Sequence, residues 1–118
     1  MPWIRFEDNF PEHPKVLEVT DAAFRLHVRA VGYCSRLLTD GRLTLSALSS
    51  LKHGRWGLRL AAELVQAGLW EQGDDGYQIH DYLHYQPSKA DVVAVREARS
   101  EAGRKGGLSG RAKPKQVA

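Results

Sequence analysis

A single cysteine, Cys34, is all that this 118-residue chain contains, so no disulfide can form within it. A reducing cytoplasm suits such a sequence. Long apolar runs are missing too: nothing approaches the roughly 18 consecutive apolar residues of a spanning helix. The opening Met1-Pro2-Trp3-Ile4-Arg5 lacks an apolar run of signal-peptide length. A cytoplasmic protein without membrane association is therefore expected. No glycine-rich phosphate motif closes on Lys-Ser or Lys-Thr, and there is no nucleophile elbow. His80 and His84 stand four apart around Asp81, yet His80 closes an expected strand. No second cysteine or nearby carboxylate pair completes a set of four ligands. Packing or hydrogen bonding beside the neighbouring aromatics is the simpler role for both, and His13, His27 and His53 show no partner pattern. Cys34 falls in a helical, largely apolar stretch and reads as a core thiol. Neither catalysis nor a metal or cofactor is expected, and no internal repeat is present.

What is present is one domain's worth of chain, with 42% hydrophobic and 26% charged residues. The net charge of +3 is unevenly spread. Residues 1–95 hold ten Lys/Arg against twelve Asp/Glu, whereas residues 96–118 hold seven against two. A cationic end of this kind either solubilises the chain or attracts phosphates, each neutralised phosphate releasing counterions.

Local chemistry divides the chain into three parts. Residues 1–87 are expected to form one domain, 88–102 a C-terminal helix, and 103–118 a basic, glycine-rich, disordered tail. Trp3-Ile4-Arg5-Phe6 suits an edge strand or an anchored arm, and the prolines at 11 and 14 make a turn, Pro14 opening a helical turn to Glu18. Thr20 is an N-cap for a long helix to about Leu38, with Asp21 in its first turn. Phe24, Val28, Val31 and Leu38 form one apolar stripe on it, and Leu26, Ala30, Tyr33 and Leu37 a second, as in the central helix of a small domain. Arg25, Arg29 and Arg36 share the remaining face, as solvated surface or as a contact for phosphate or protein. Thr39-Asp40-Gly41 stops the helix and Arg42-Leu43-Thr44 forms a short strand. Ser46 caps a second helix to about Lys52, and Gly54 and Gly57 bracket a turn. A third helix follows over about Leu58–Ala67, with Leu58, Ala61, Ala62 and Val65 inward, Arg59, Glu63 and Gln66 outward, and Gly68 as its left-handed end.

The sharpest local signal is a β-hairpin, with Leu69-Trp70 leading in, Gly73-Asp74-Asp75-Gly76 turning, and Tyr77 to His80 leading out. Its tip has two acids and no cation, a poor grip for phosphate. After the aromatic cluster Tyr82–Tyr85, Ser88 caps the last helix. The apolar stripe of that helix is thin, leaving open whether it pairs two chains as a homodimer. Residues 103–118 carry four glycines and five basic residues with no acid, a composition that does not order itself alone.

Two short helices feeding a hairpin give an α+β, mostly α fold of the winged helix-turn-helix type, whose commonest use is to grip double-stranded DNA. The expected contact surface is Lys52, His53, Arg55, Trp56, Arg59 and Gln66, with Arg55 and Arg59 as readers of base or phosphate and Lys52 on the backbone. In the tail, Arg104, Lys105, Arg111, Lys113 and Lys115 would follow the phosphates. Trp56 is equally suited to core or surface. The competing reading makes the same helix a protein-docking face, with Arg59 and Glu63 as a surface pair four apart. The chain would then recruit or block a host replication or defence protein.

Met1-Pro2-Trp3-Ile4-Arg5-Phe6-Glu7-Asp8-Asn9-Phe10 and His13-Pro14-Lys15-Val16 resemble the opening of a group of short proteins from actinobacterial phages and prophages. The resemblance continues through Leu38-Thr39-Asp40-Gly41, Ala67-Gly68-Leu69-Trp70, Tyr77 to Leu83, Tyr85-Gln86-Pro87-Ser88 and the basic end. It implies a helix-turn-helix or replication-initiation-like DNA-binding protein, similar to the winged-helix part of replisome organisers. A phage or host replication protein is then a further expected partner. The matching residues are mostly caps, turns and aromatics, so the resemblance speaks to scaffold more than to a site. It is weakest over Ala47–Trp56, and it brings no catalytic residue with it.

Overall fold

The computed structural model describes residues 2–52 and 54–112. The chain divides into two units, residues 1–87 and 88–118. In the first unit a 3-10 turn, Phe10–Glu12, leads into α1 (Pro14–Leu17) and α2 (Asp21–Leu37). Then follow β1 (Arg42–Thr44), α3 (Leu45–Leu51), α4 (Gly54–Gln66), β2 (Trp70–Gln72), β3 (Gly76–Ile79) and α5 (Tyr82–Tyr85). The second unit is the single helix α6 (Lys89–Ala112). The result is a mostly helical α+β fold with one three-stranded antiparallel sheet.

Helix α2 begins where the sequence requires it. The Thr20 hydroxyl accepts the Ala23 N–H at 3.3 Å and Asp21 occupies the first turn. Its end uses Leu38 in the left-handed region (φ 55°), and the Thr39 N–H reaches back to the Cys34 carbonyl at 3.1 Å. One broad face of α2 is buried, through Ala23, Leu26, His27, Ala30, Val31 and Cys34, while Leu37 is exposed. Burial pushes the Cys34 thiol up, so it is the inert core group its setting suggests.

The sheet order is β1-β3-β2, so the first strand joins the outer side of the later hairpin. Leu43 stands opposite Tyr77 and Trp70 opposite Ile79. Gly76 allows the close approach of β1, since a Cβ there would lie 2.0 Å from the Leu43 carbonyl oxygen. Leu43, Leu48, Leu64 and Trp70 are fully buried between sheet and helices. Each contributes about 2 kcal/mol of burial, which fixes α3 and α4 against α2. The Trp70 indole N–H donates to His27 Nδ1 at 2.9 Å, satisfying the polar atom of the largest core side chain.

Several boundaries differ from expectation. Thr44, not Ser46, caps α3, accepting the Ala47 N–H at 3.1 Å, because the helix starts directly off the strand. Helix α4 begins at Gly54, four residues before the expected Leu58, so the supposed turn is its first turn. Its buried positions are Gly57, Leu60, Ala61 and Leu64, so the expected inward stripe is displaced: Leu58 and Ala62 are exposed and Val65 only half-buried. Strand β3 runs Gly76–Ile79, one residue earlier than expected.

In the second unit, the Ser88 hydroxyl accepts the Asp91 N–H at 3.1 Å, as a cap should. The helix continues ten residues past the expected end at Ala102, so residues 103–112 are helical rather than irregular. A helical glycine costs only about 1 kcal/mol relative to alanine, and the first proline after Ser88 is Pro114. Residues 113–118 of the expected tail lie outside the described residues.

Candidate nucleic-acid interface

Three attachments hold α4 in place. Gly57 lies against the end of α3, where a Cβ would come within 2.2 Å of the Lys52 carbonyl oxygen. The absence of a side chain is what lets the two helices cross so closely. Leu60, Ala61 and Leu64 fill the core side. Glu63 reaches across to the start of α2, accepting from the Thr20 N–H through one carboxylate oxygen and from the Thr20 hydroxyl at 3.1 Å through the other. A carboxylate at a helix N-terminus is well placed electrostatically, and the bond to it is charge-assisted. On the other side, Arg29 donates to the Leu51 carbonyl at 2.8 Å, tying α2 to the end of α3.

With its inner side committed, α4 presents Arg55, Arg59, Ala62 and Gln66 to solvent. At 3.6 residues per turn these four fall within an arc of about 60°. Trp56 and Leu58 flank the arc on opposite sides, 61% and 52% exposed. The Arg59 guanidinium lies over the Trp56 ring, 5.6 Å from its centroid, a cation–π contact that orders both side chains. Lys52, just after α3, is exposed as well. The one acid between residues 45 and 66 is Glu63, and it is taken up by Thr20. Hence the outward field of this segment is positive, with an amide and small apolar groups among the cations. In place of the Arg59–Glu63 pair that the protein-docking alternative carries, Arg59 lies on Trp56 and Glu63 on Thr20.

Of the residues expected at the surface, Arg55, Trp56, Arg59 and Gln66 thus share the outer side of one rigid helix, with Lys52 near its start. His53 lies outside the described residues, as do Lys113 and Lys115. Arg104 and Lys105 belong to the second unit, exposed on α6, where Arg104 pairs with Glu101. Arg111 falls in the last turn of α6, of which only the backbone is described.

The hairpin has the opposite character. At its tip the Asp75 carboxylate accepts two hydrogen bonds from one Arg42 guanidinium nitrogen, at 2.9 and 3.1 Å, so one of its two acids is paired and Asp74 is exposed beside it. Farther down, His80 sits between Glu71, at 2.9 Å, and Asp81, at 3.3 Å. His84 packs edge-on against Tyr85. Behind the sheet, burial pushes the His27 imidazole down to about 4, so the ring is neutral under ordinary conditions.

Sequence reasoning missed the exposed apolar borders of the site. Leu58 belonged to the expected core, yet it lines a shallow cleft between α3 and α4 with Leu45, Leu48, Ser49, Lys52 and Gly54. The available signal was the spacing 57, 60, 61, 64, which is a full helical stripe once a glycine is admitted as a core position. No helix among the described residues is long and apolar enough to cross a membrane. In comparisons with known proteins, no family model, curated protein or solved structure matches this chain.

Proposed function

We propose that this chain is a winged-helix DNA-binding protein, encoded by a phage or prophage and acting in the bacterial cytoplasm in replication initiation or transcriptional control. What supports the winged-helix part of this reading is the element order helix, strand, helix, helix, hairpin, together with the sheet order β1-β3-β2. In this reading α3 and α4 are the helix-turn-helix and α4 enters the major groove. The observation that carries the proposal is the outward Arg55–Arg59–Gln66 stripe on a helix whose one acid is consumed internally. Arg suits guanine edges and Gln suits adenine, while Ala62 and Leu58 suit a thymine methyl. Lys52 then rests on a phosphate. The acidic hairpin tip stays away from the duplex, and the C-terminal cations add sequence-independent attraction.

The test is titration of labelled duplex at several salt concentrations. Log affinity should fall with log salt at about −0.9 per neutralised phosphate. Removing residues 103–118 should flatten that slope by several units, since five cations leave with them. Arg55→Ala and Arg59→Ala should each narrow the preference between sequences by about tenfold. Failure of the full chain to bind any duplex at low salt, together with a stoichiometric protein partner that survives nuclease treatment, would replace this reading with a protein-docking one.

A further inference from the structure

The three tryptophans of this chain have different surroundings. Trp70 is sealed in the core and hydrogen-bonded to His27. Trp3 is 84% exposed, ahead of the first 3-10 turn. Trp56 is exposed on a rigid helix, in its first turn, between Arg55 and the Arg59 guanidinium that covers its ring. The buried side of α4 is already filled by Leu60, Ala61 and Leu64, so the ring has no core position to fold into.

An intact duplex makes poor use of such a group. In the major groove, base pairs offer only their edges, and a tryptophan contributes one N–H donor and no acceptor there. The large flat face of the indole gains most from another flat face. A base exposes one only when it leaves the stack, and the backbone on either side then supplies phosphates for nearby cations. Lys52, Arg55 and Arg59 are those cations, with no exposed acid on α3 or α4 to oppose them.

We infer that Trp56 is a stacking platform for an unpaired base, so that the favoured ligand of α4 is DNA locally opened or distorted rather than uniform duplex. This deepens the DNA-binding reading and rests on it. Arg59 supports the ring from one face, and the nucleobase takes the other. Intact duplex is held by the charges and edge contacts of the stripe, and opened duplex by these and stacking together. A protein with this preference fits a step at which strands separate.

The experiment compares three labelled probes at one salt concentration: an intact duplex, the same duplex with a short central unpaired bubble, and the corresponding single strand. Wild-type protein should bind the bubble about tenfold more tightly than the intact duplex, the worth of roughly one stacked base. Trp56→Ala should weaken bubble binding about tenfold more than it weakens intact-duplex binding, erasing the preference. Trp56→Phe should retain most of it and Trp56→Leu should not, because an aromatic face, not bulk, is what counts. In a Trp3→Phe background the bubble probe should quench indole fluorescence, with Trp70 as the constant remainder. Equal binding of bubble and duplex by wild type, or equal weakening of both by Trp56→Ala, overturns the inference while leaving duplex binding in place. Binding to none of the probes removes the DNA-binding reading and this inference together.

Discussion

Helix α4 and the β2–β3 hairpin are neighbours in one small unit, yet they carry opposite charge by opposite means. On α4 the single acid is withdrawn into a hydrogen-bonded bridge to Thr20, leaving Arg55 and Arg59 outward. At the hairpin tip the nearby cation, Arg42, is spent on Asp75, leaving Asp74 outward. Charge composition alone would miss this contrast, because residues 1–95 are slightly acidic as a whole. What matters is which charges the fold consumes. A polyanion meeting this surface is drawn to one element and repelled by the other, and orientation follows from that difference.

The most severe way to break the contrast is to unseat α4. Gly57→Ala places a Cβ against the Lys52 carbonyl oxygen, forcing the two helices apart. We expect a loss of about 3 kcal/mol in urea unfolding, with DNA affinity falling in parallel. Unfolding with wild-type stability would mean that the α3–α4 crossing is looser than described.

Acid should erode the core behind the hairpin, because the buried His27 accepts the indole N–H of Trp70 at the start of β2. Its folded-state value near 4 is below the ordinary 6.5, so the unfolded chain takes up a proton that the folded chain refuses. The contribution is fully present above about pH 6.5 and is lost progressively as pH falls toward 4. The loss reaches about 3 kcal/mol at the lower end. His27→Gln, which keeps an acceptor for the Trp70 indole, should remove this part of the pH dependence in denaturation curves measured between those limits. An unchanged profile would locate the acid sensitivity elsewhere.

Smaller changes separate the two elements. Glu63→Ala releases α4 from Thr20 and should cost about 1–2 kcal/mol of stability, while adding net positive charge outside. Circular dichroism melts read the first effect and duplex titration the second. Asp75→Asn removes the Arg42 pair, which is exposed on both sides, so stability should change by less than about 1 kcal/mol. If the tip stays away from DNA, Asp74→Asn with Asp75→Asn should raise affinity no more than about threefold. A tenfold gain would put the tip at the duplex.

Much of the scaffold was legible because its signals are local. Thr20, Gly68, Ser88 and the Gly73–Gly76 turn each determine a boundary through their own chemistry. Strand β1 was readable from three residues because the hairpin leaves an edge for a third strand to pair with, as β1 does with β3. Register along α4 was the weak point. Gly57 has no side chain to count as apolar, so the stripe was assigned one residue late, through Leu58, and the helix started four residues late. The outward Arg59 and Gln66 survive that shift, since both still lie on the side of the helix away from Gly57, Leu60, Ala61 and Leu64. The Glu63–Thr20 bridge spans 43 residues and leaves no periodic trace, and the exposure of Trp56 depended on a core volume that only packing reveals. In α6 the glycines at 103 and 106 weaken the helix without ending it.

The claim that α4 is the contact surface is tested most directly by mapping backbone amide shifts in isotope-labelled protein as duplex is added. The account predicts that the largest shifts gather at Lys52, Arg55, Trp56, Arg59, Ala62 and Gln66, with Asp74 and Asp75 nearly unmoved. Shifts concentrated on the hairpin tip, or along α2 at Arg25 and Arg36 with α4 silent, would contradict it.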